Sequence, residues 1–155
     1  MHKKTKTYII SILIPLFVGG LSALLTRGSM EDYAVLNQPP LSPPGWVFPV
    51  VWAILYTLMG ISTARIYLSE SSLKSDALRL YAVQLIVNFF WTILFFNLDV
   101  RLFALIWLIL LVALVLRMII LFRRIDAPAA YLQIPYFLWL LFATYLNAGV
   151  WLLNR

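Results

Sequence analysis

Cysteine is absent from the 155 residues, histidine occurs once, at position 2, and only 12% of the chain is charged. Without a thiol there is neither a disulfide framework nor a thiolate metal site. A charged share this small is about half of what wets the surface of an ordinary soluble domain, so a water-soluble fold is excluded. The six acidic residues all lie between long apolar runs or at their ends. Paired-carboxylate acid–base chemistry, a carboxylate proton relay across a bilayer and a serine–histidine hydrolytic centre therefore have no candidates. Apolar residues are abundant: the chain is 63% hydrophobic and 15% aromatic, with a mean hydropathy of +0.93.

The apolar residues are concentrated in five runs, Tyr8–Thr26, Trp46–Leu68, Leu78–Leu98, Leu102–Phe122 and Ala129–Leu153. At 1.5 Å per residue, runs of about 19 to 25 residues match a hydrocarbon core about 30 Å thick. Stretches such as Leu102–Leu116 are apolar on every face, whereas barrel strands alternate. The reading is an all-α, five-helix membrane bundle, one domain over 1–155. The first run follows His2, Lys3, Lys4 and Lys6 like the core of a signal peptide, but its length and the poor cleavage site Thr26-Arg27-Gly28 favour a retained helix.

Five spans put the two termini on opposite faces. Nine of the 12 basic residues (Lys3, Lys4, Lys6, Arg65, Lys74, Arg79, Arg117, Arg123, Arg124) fall on the N-terminal face; Arg27, Arg101 and Arg155 fall on the other. Lys/Arg bias sets orientation, so the N-terminus is expected in the cytoplasm and the C-terminus outside, with a bacterial plasma membrane as the default location. Arg65 and Arg117 lie near cytoplasmic helix ends and are read as snorkelling anchors. Basic residues scattered over short loops, without a groove-reading motif, point to a lipid surface and exclude nucleic acid.

Three connections are short, which makes neighbouring helices antiparallel partners. Asp126 before Pro128 reads as a helix start, and Ser75 or Asp76 as a cap for the third span. The first connection, Arg27–Gly45, is longer and carries Pro39, Pro40, Pro43 and Pro44, which favour a stiff extended path suited to a lid. Pro15, Pro49 and Pro135 fall within spans, where each removes a backbone donor and favours a kink.

Polar and aromatic side chains inside the spans fall into stripes. Gln84, Asn88 and Trp91 share one helix face, Trp52 and Tyr56 another, and Trp139, Ala143, Leu146 and Asn147 a third. Counted from the outer helix ends, Trp52, Trp91, Trp107 and Asn147 lie roughly 8 to 11 Å deep, Tyr56, Asn88 and Ala143 about 15 Å, and Trp139 about 21 Å. Aromatic walls with a few amides in the outer half of the bundle, beneath the first connection, describe a ligand pocket. Trp46 and Trp151, at the outer ends, read as interfacial belt residues. With no histidine in any span to ligate haem iron, a bound tetrapyrrole is expected to be metal-free or held without strong axial ligation.

Three segments resemble the TspO/MBR family of translocator proteins and tryptophan-rich sensory proteins: Pro40-Leu-Ser-Pro-Pro-Gly-Trp46-Val-Phe48-Pro49-Val-Val-Trp52-Ala-Ile-Leu-Tyr56; Gln84-Leu85 with Asn88 and Trp91; and Pro135-Tyr136-Phe-Leu-Trp139-Leu-Leu-Phe142-Ala143-Thr-Tyr-Leu146-Asn147. The resemblance runs over nearly the whole chain. It implies a usually dimeric membrane receptor for porphyrins such as protoporphyrin IX and for benzodiazepine or isoquinoline carboxamide ligands, with no required cofactor. It also implies light-dependent porphyrin degradation carried by Trp52 and Trp139. The ligand-binding set would be Pro43, Pro44, Trp46, Phe48, Trp52, Tyr56, Gln84, Asn88, Trp91, Trp107, Trp139, Phe142, Ala143, Leu146 and Asn147. A porphyrin or small-molecule transporter is the alternative, weakened by the lack of an inverted repeat and of buried charge.

Animal members bind cholesterol through a Tyr followed closely by Lys or Arg near the end of the fifth span. Here Gly149 and Leu152 stand where that tyrosine and arginine are expected, and Tyr145 precedes Arg155 by ten positions, so weak cholesterol binding is expected. Gly60-Ile-Ser-Thr-Ala64 is a small-xxx-small pair that suits either a dimer face or packing within one chain.

Overall fold

The computed structural model describes residues 2–155, and among these every regular element is helical. The elements are α1 (Lys3–Thr26), a 3₁₀ turn (Arg27–Ser29), α2 (Met30–Ala34), α3 (Val47–Tyr67), α4 (Lys74–Thr92), α5 (Arg101–Ile125), α6 (Ala127–Leu132) and α7 (Ile134–Leu153). They make five segments long and apolar enough to cross a membrane: Lys3–Ala34, Val47–Tyr67, Lys74–Asn97, Arg101–Ile125 and Ala127–Leu153. Helices satisfy their own backbone polar groups, which lipid cannot do for them.

The expected bounds shift outward at several ends, because Lys3–Lys6, Lys74 and Arg123–Arg124 continue their helices past the apolar runs. Of the first connection, residues 27–34 are helical rather than extended, and only 35–46 form a loop. Neither Ser75 nor Asp76 caps α4; the helix begins at Lys74 after Leu73, so both fall inside its first turn. Lys74 instead donates from Nζ to the carbonyls of Tyr67 and Ser69, closing the C-terminal end of α3. Of the three span prolines, Pro15 alone lies beyond the first turn of its helix. Pro49 occupies the first turn of α3, and Pro135 starts α7 after the break at Gln133, positions where a missing N–H costs little.

α1 packs chiefly on α3, α5 on α4, α6 and α7, and α3 also on α6. Lipid supplies no hydrophobic drive between helices, so close approach decides the packing. A methyl group on Gly60 would meet the backbone of Ser11 and Ile12, and one on Gly19 would meet the Tyr56 ring. The Gly60–Ala64 pair is thus used inside the chain, with Ala64 fully buried. Fully buried Met59, Ile66, Leu108, Leu111, Met118, Phe122 and Leu140 fill the centre, while Leu13, Phe17, Ile86 and Ile106 point outward.

Polar contacts fix the ends of the bundle. Arg65, read as a snorkelling anchor, instead pairs with Asp126, the N-cap of α6. After α4 the helix widens to one π turn, Ile93–Asn97, with Leu98 N–H donating to Ile93 O at 3.1 Å. Asn97 then donates to Leu25 O and accepts from Ser29 Oγ, tying this end to that of α1.

Candidate functional site

Successive turns of α3 carry Phe48, Trp52 and Tyr56, and α7 opposes them with Tyr136, Trp139 and Phe142. Trp52 stacks on Tyr56 at 5.3 Å between ring centroids and meets Trp139 edge to face at 6.4 Å and 88°. Trp52 also meets Tyr136 at 6.2 Å, Phe48 meets Trp139 at 6.0 Å, and Trp139 meets Phe142 at 5.5 Å. Such tilted and perpendicular geometries are the favoured ones for aromatic quadrupoles. Trp52, Trp139, Phe48 and Phe142 are half-buried. The opposing walls touch through the Phe48–Trp139 and Trp52–Trp139 contacts.

Beneath the rings lies an uncharged hydrogen-bonded floor. Asn88 Nδ2 donates to Tyr136 Oη at 3.0 Å, and Tyr136 Oη donates to Gln84 Oε1 at 2.8 Å. Gln84 Nε2, Asn88 Oδ1, Tyr81 Oη and both polar atoms of Gln133 are buried without a hydrogen-bond partner among the described residues. Groups of this kind are matched by internal water or by the polar atoms of a ligand.

The other expected site residues divide. Ala143 and Leu146 are buried on α7, Ala143 one turn from Trp139. Trp91 is buried and donates to Asn147 Oδ1 at 3.0 Å, while Asn147 Nδ2 donates to Arg101 O at 2.9 Å. That chain joins α4, α7 and α5. Trp107 donates to Val87 O at 2.7 Å, joining α5 to α4. Trp46 is exposed, Pro43 is half-buried and Pro44 exposed in the loop.

The 35–46 loop docks on the C-terminal half of α7. Asn37 N–H donates to Asn154 Oδ1 at 3.1 Å, and Asn154 Nδ2 returns a bond to Asn37 O at 2.7 Å. Tyr145 Oη donates to Pro40 O at 2.6 Å, and Pro39 fills the place a side chain at Gly149 would take. A turn closes at Ser42, whose N–H and Oγ both donate to Pro39 O, and holds Leu41 at φ 72°. Tyr33 on α2 meets Phe48, Phe95 and Phe96 at 5.3–6.1 Å, linking the helical part of the first connection to both α3 and the π turn.

Sequence reading missed Tyr136 and Tyr33 as members of this region. Tyr136 was discoverable, one turn before Trp139 on the same stripe. Tyr33 and the Asn37–Asn154 pair carry no local signal, because their partners are distant in sequence.

A profile of the TspO/MBR family matches residues 11–152. The tryptophan-rich protein TspO of Chlorobaculum tepidum is 33% identical, over 99% of this chain and 99% of its own. Protein CrtK of Rhodobacter capsulatus is 37% identical, over 88% of this chain and 85% of its own. The translocator protein of Bos taurus is 35% identical, over 92% and 87% respectively. A match spanning all five membrane segments, from α1 to the last turn of α7, places this integral membrane protein in the TspO/MBR family.

Proposed function

We propose that the protein is a membrane receptor or sensor that binds metal-free porphyrins, protoporphyrin IX among them, and flat apolar small molecules between α3 and α7. The observation that carries this reading is the perpendicular Trp52–Trp139 pair, held on two different helices. Half-buried indoles offer stacking area to a large apolar disc, while the amide floor offers donors and acceptors to its polar edge. The donor set also fits a porphyrin without iron: the only histidine is His2, at the exposed end of α1. Orientation follows the basic residues, with the N-terminus cytoplasmic in a bacterial plasma membrane and loop 35–46 on the outer side acting as the lid. We place the functional unit as a homodimer, with only weak affinity for cholesterol.

Light adds a chemical step to this reading. An excited porphyrin beside an indole takes one electron from it and passes that electron to dioxygen as superoxide; the indole radical cation then takes an electron from the ground-state porphyrin, and the resulting porphyrin radical cation couples with superoxide, so that dioxygen ends on the macrocycle and the indole is restored.

Titrating the purified protein with protoporphyrin IX tests the binding. Saturable quenching of tryptophan fluorescence is expected; no quenching would overturn it. Trp52→Phe and Trp139→Phe are expected to bind but to slow the light-dependent loss of porphyrin absorbance, and unchanged decay in both would remove the photochemical part. Flux of porphyrin through vesicles down a gradient would replace the receptor reading with transport.

A further inference from the structure

The 35–46 loop carries no charged side chain, since none occurs between Asp32 and Arg65, and it descends along α7 on its way to α3. Asn37 is fixed at Asn154, just past the end of α7; Pro39 packs on Gly149, and Pro40 O accepts from Tyr145 Oη at 2.6 Å. At 1.5 Å per residue, Gly149 and Tyr145 lie about 6 and 12 Å below Leu153, the last residue of α7. Helical side chains lean toward the helix N-terminus, which in α7 is the deeper direction, so the Tyr145 ring carries the contact no nearer to that end. The descent has a destination. α3 begins at Val47, and Phe48 in its first turn meets Trp139, about 21 Å below the end of α7.

A second register relates that depth to the bilayer. Asn147 Nδ2 donates to the carbonyl of Arg101, the first residue of α5, so the paired charges of Asp99 and Arg101 stand at about the level of Asn147. Tyr145, two residues deeper on α7, is about 3 Å inside that level. It is 42% exposed and shares an outward stripe of α7 with Leu138 and Leu141. Leu41 follows the Tyr145 contact, at the tip of the turn that Ser42 closes. It is 84% exposed and held at φ 72°, a left-handed conformation in which glycine or asparagine is the usual occupant. The turn offers lipid little unsatisfied backbone: Pro39, Pro40, Pro43 and Pro44 have no N–H, and the Ser42 N–H and Oγ are both spent on Pro39 O.

We propose that this turn is an interfacial wedge, with the Leu41 side chain among the acyl chains of the adjoining leaflet and the turn backbone at glycerol level. An uncharged turn, poor in free donors and docked on the outward flank of α7, loses little by leaving water, and its one large apolar side chain gains by doing so. Trp46, 69% exposed where the loop meets α3, is suited to the same interface. The partner is the acyl region of a phospholipid, whatever the charge of its headgroup. The proposal concerns the setting of the loop and does not depend on what the aromatic cluster binds.

The chain has no cysteine of its own, so a single introduced one reports its position alone. Three full-length variants are labelled with a nitroxide and placed in phosphatidylcholine vesicles: Leu41→Cys, Leu13→Cys on the outward face of α1, and Glu31→Cys on the exposed side of α2. Power-saturation EPR then compares collisions with dioxygen, which concentrates among acyl chains, and with a nickel chelate, which stays in water. The oxygen-to-nickel ratio at Leu41 is expected to exceed that at Glu31 several-fold and to stay below that at Leu13, deeper in the membrane. A ratio equal to that at Glu31 would place the tip in water and overturn the proposal. Shielding of Leu41 from both reagents would overturn it as well, by assigning the tip to a contact with protein, such as a second copy of the chain.

Discussion

Arg65 and Asp126 join α3 to the start of α6 through two parallel contacts, Nε to Oδ2 at 2.6 Å and Nη2 to Oδ1 at 3.2 Å. The same Oδ2 accepts the Ala129 N–H at 3.1 Å, so one carboxylate serves as helix cap and ion-pair partner together. The Arg65 guanidinium holds the Asp126 carboxyl below its ordinary value, with the Ala129 N–H adding to the shift against the opposing effect of burial. A carboxyl lowered in the folded state contributes its full stabilisation above the unfolded value, about 3.9, and loses it as pH falls toward the folded one.

Asp126→Asn retains a capping oxygen, whereas Asp126→Ala removes cap and ion pair together. Asp126→Ala is expected to cost about 1–3 kcal/mol near neutral pH and Asp126→Asn less. Thermal melts in detergent at pH 7 and pH 3 check this. The gap between wild type and Asp126→Asn should narrow at the lower pH; a gap independent of pH would sink the assignment.

Tyr136 and Gln133 predict opposite signs from the same polar core. Tyr136→Phe leaves Asn88 and Gln84 buried and unpaired, at a cost of about 1–3 kcal/mol. Gln133→Leu removes two buried polar atoms that have no partner among the described residues, and is expected to be neutral or stabilising. Paired melting curves decide it, and destabilisation by Gln133→Leu comparable with that of Tyr136→Phe would contradict this account.

Gly60→Leu drives a side chain into the backbone of α1 at Ser11 and Ile12. Overpacking of this kind costs about 1–3 kcal/mol, so the variant is expected to melt earlier as a monomer-level defect. Sedimentation in detergent distinguishes the alternatives: a Gly60→Leu protein with unchanged stability and an altered oligomeric state would return this glycine to a dimer face.

Gly149→Tyr puts a ring where Pro39 now packs. The loop is expected to lift, which limited proteolysis between residues 35 and 46 would register as faster cleavage. Asn154→Ala should act in the same direction by removing both bonds to Asn37. Cleavage at the wild-type rate in both variants would show that the loop is held by other contacts.

The five spans were legible because a bilayer selects length and apolarity, and both are written in the order of residues. Their ends were less so: charge ended several of the predicted runs, yet Lys74 and Arg123–Arg124 are good helix formers that extend into the headgroup layer. The prolines of the first connection begin at Pro39, and extending their stiffness back to Arg27 hid the α2 turn. Helical spacing put Trp52 with Tyr56 on one face and Trp139 with Ala143 on another, and Trp52 meets Trp139 across the two helices; Phe48 and Phe142 came only from the family resemblance. Spacing alone could not tell that Trp91 and Trp107 spend their indole N–H groups on Asn147 and Val87, because those acceptors sit on other helices. The π turn at Ile93–Asn97 has no residue signature at all; it is visible only as a shifted hydrogen bond.

The loop anchor has a consequence for biosynthesis. Asn37 and Asn154 are 117 positions apart, so when the first span and its loop leave the ribosome their partner does not yet exist. The loop stays undocked while α3, α4 and α5 insert, and the aromatic cluster lacks its α7 wall over the same interval. Insertion of the last span therefore completes the wall and fastens the loop in one event, and a nascent chain stopped before α7 has neither.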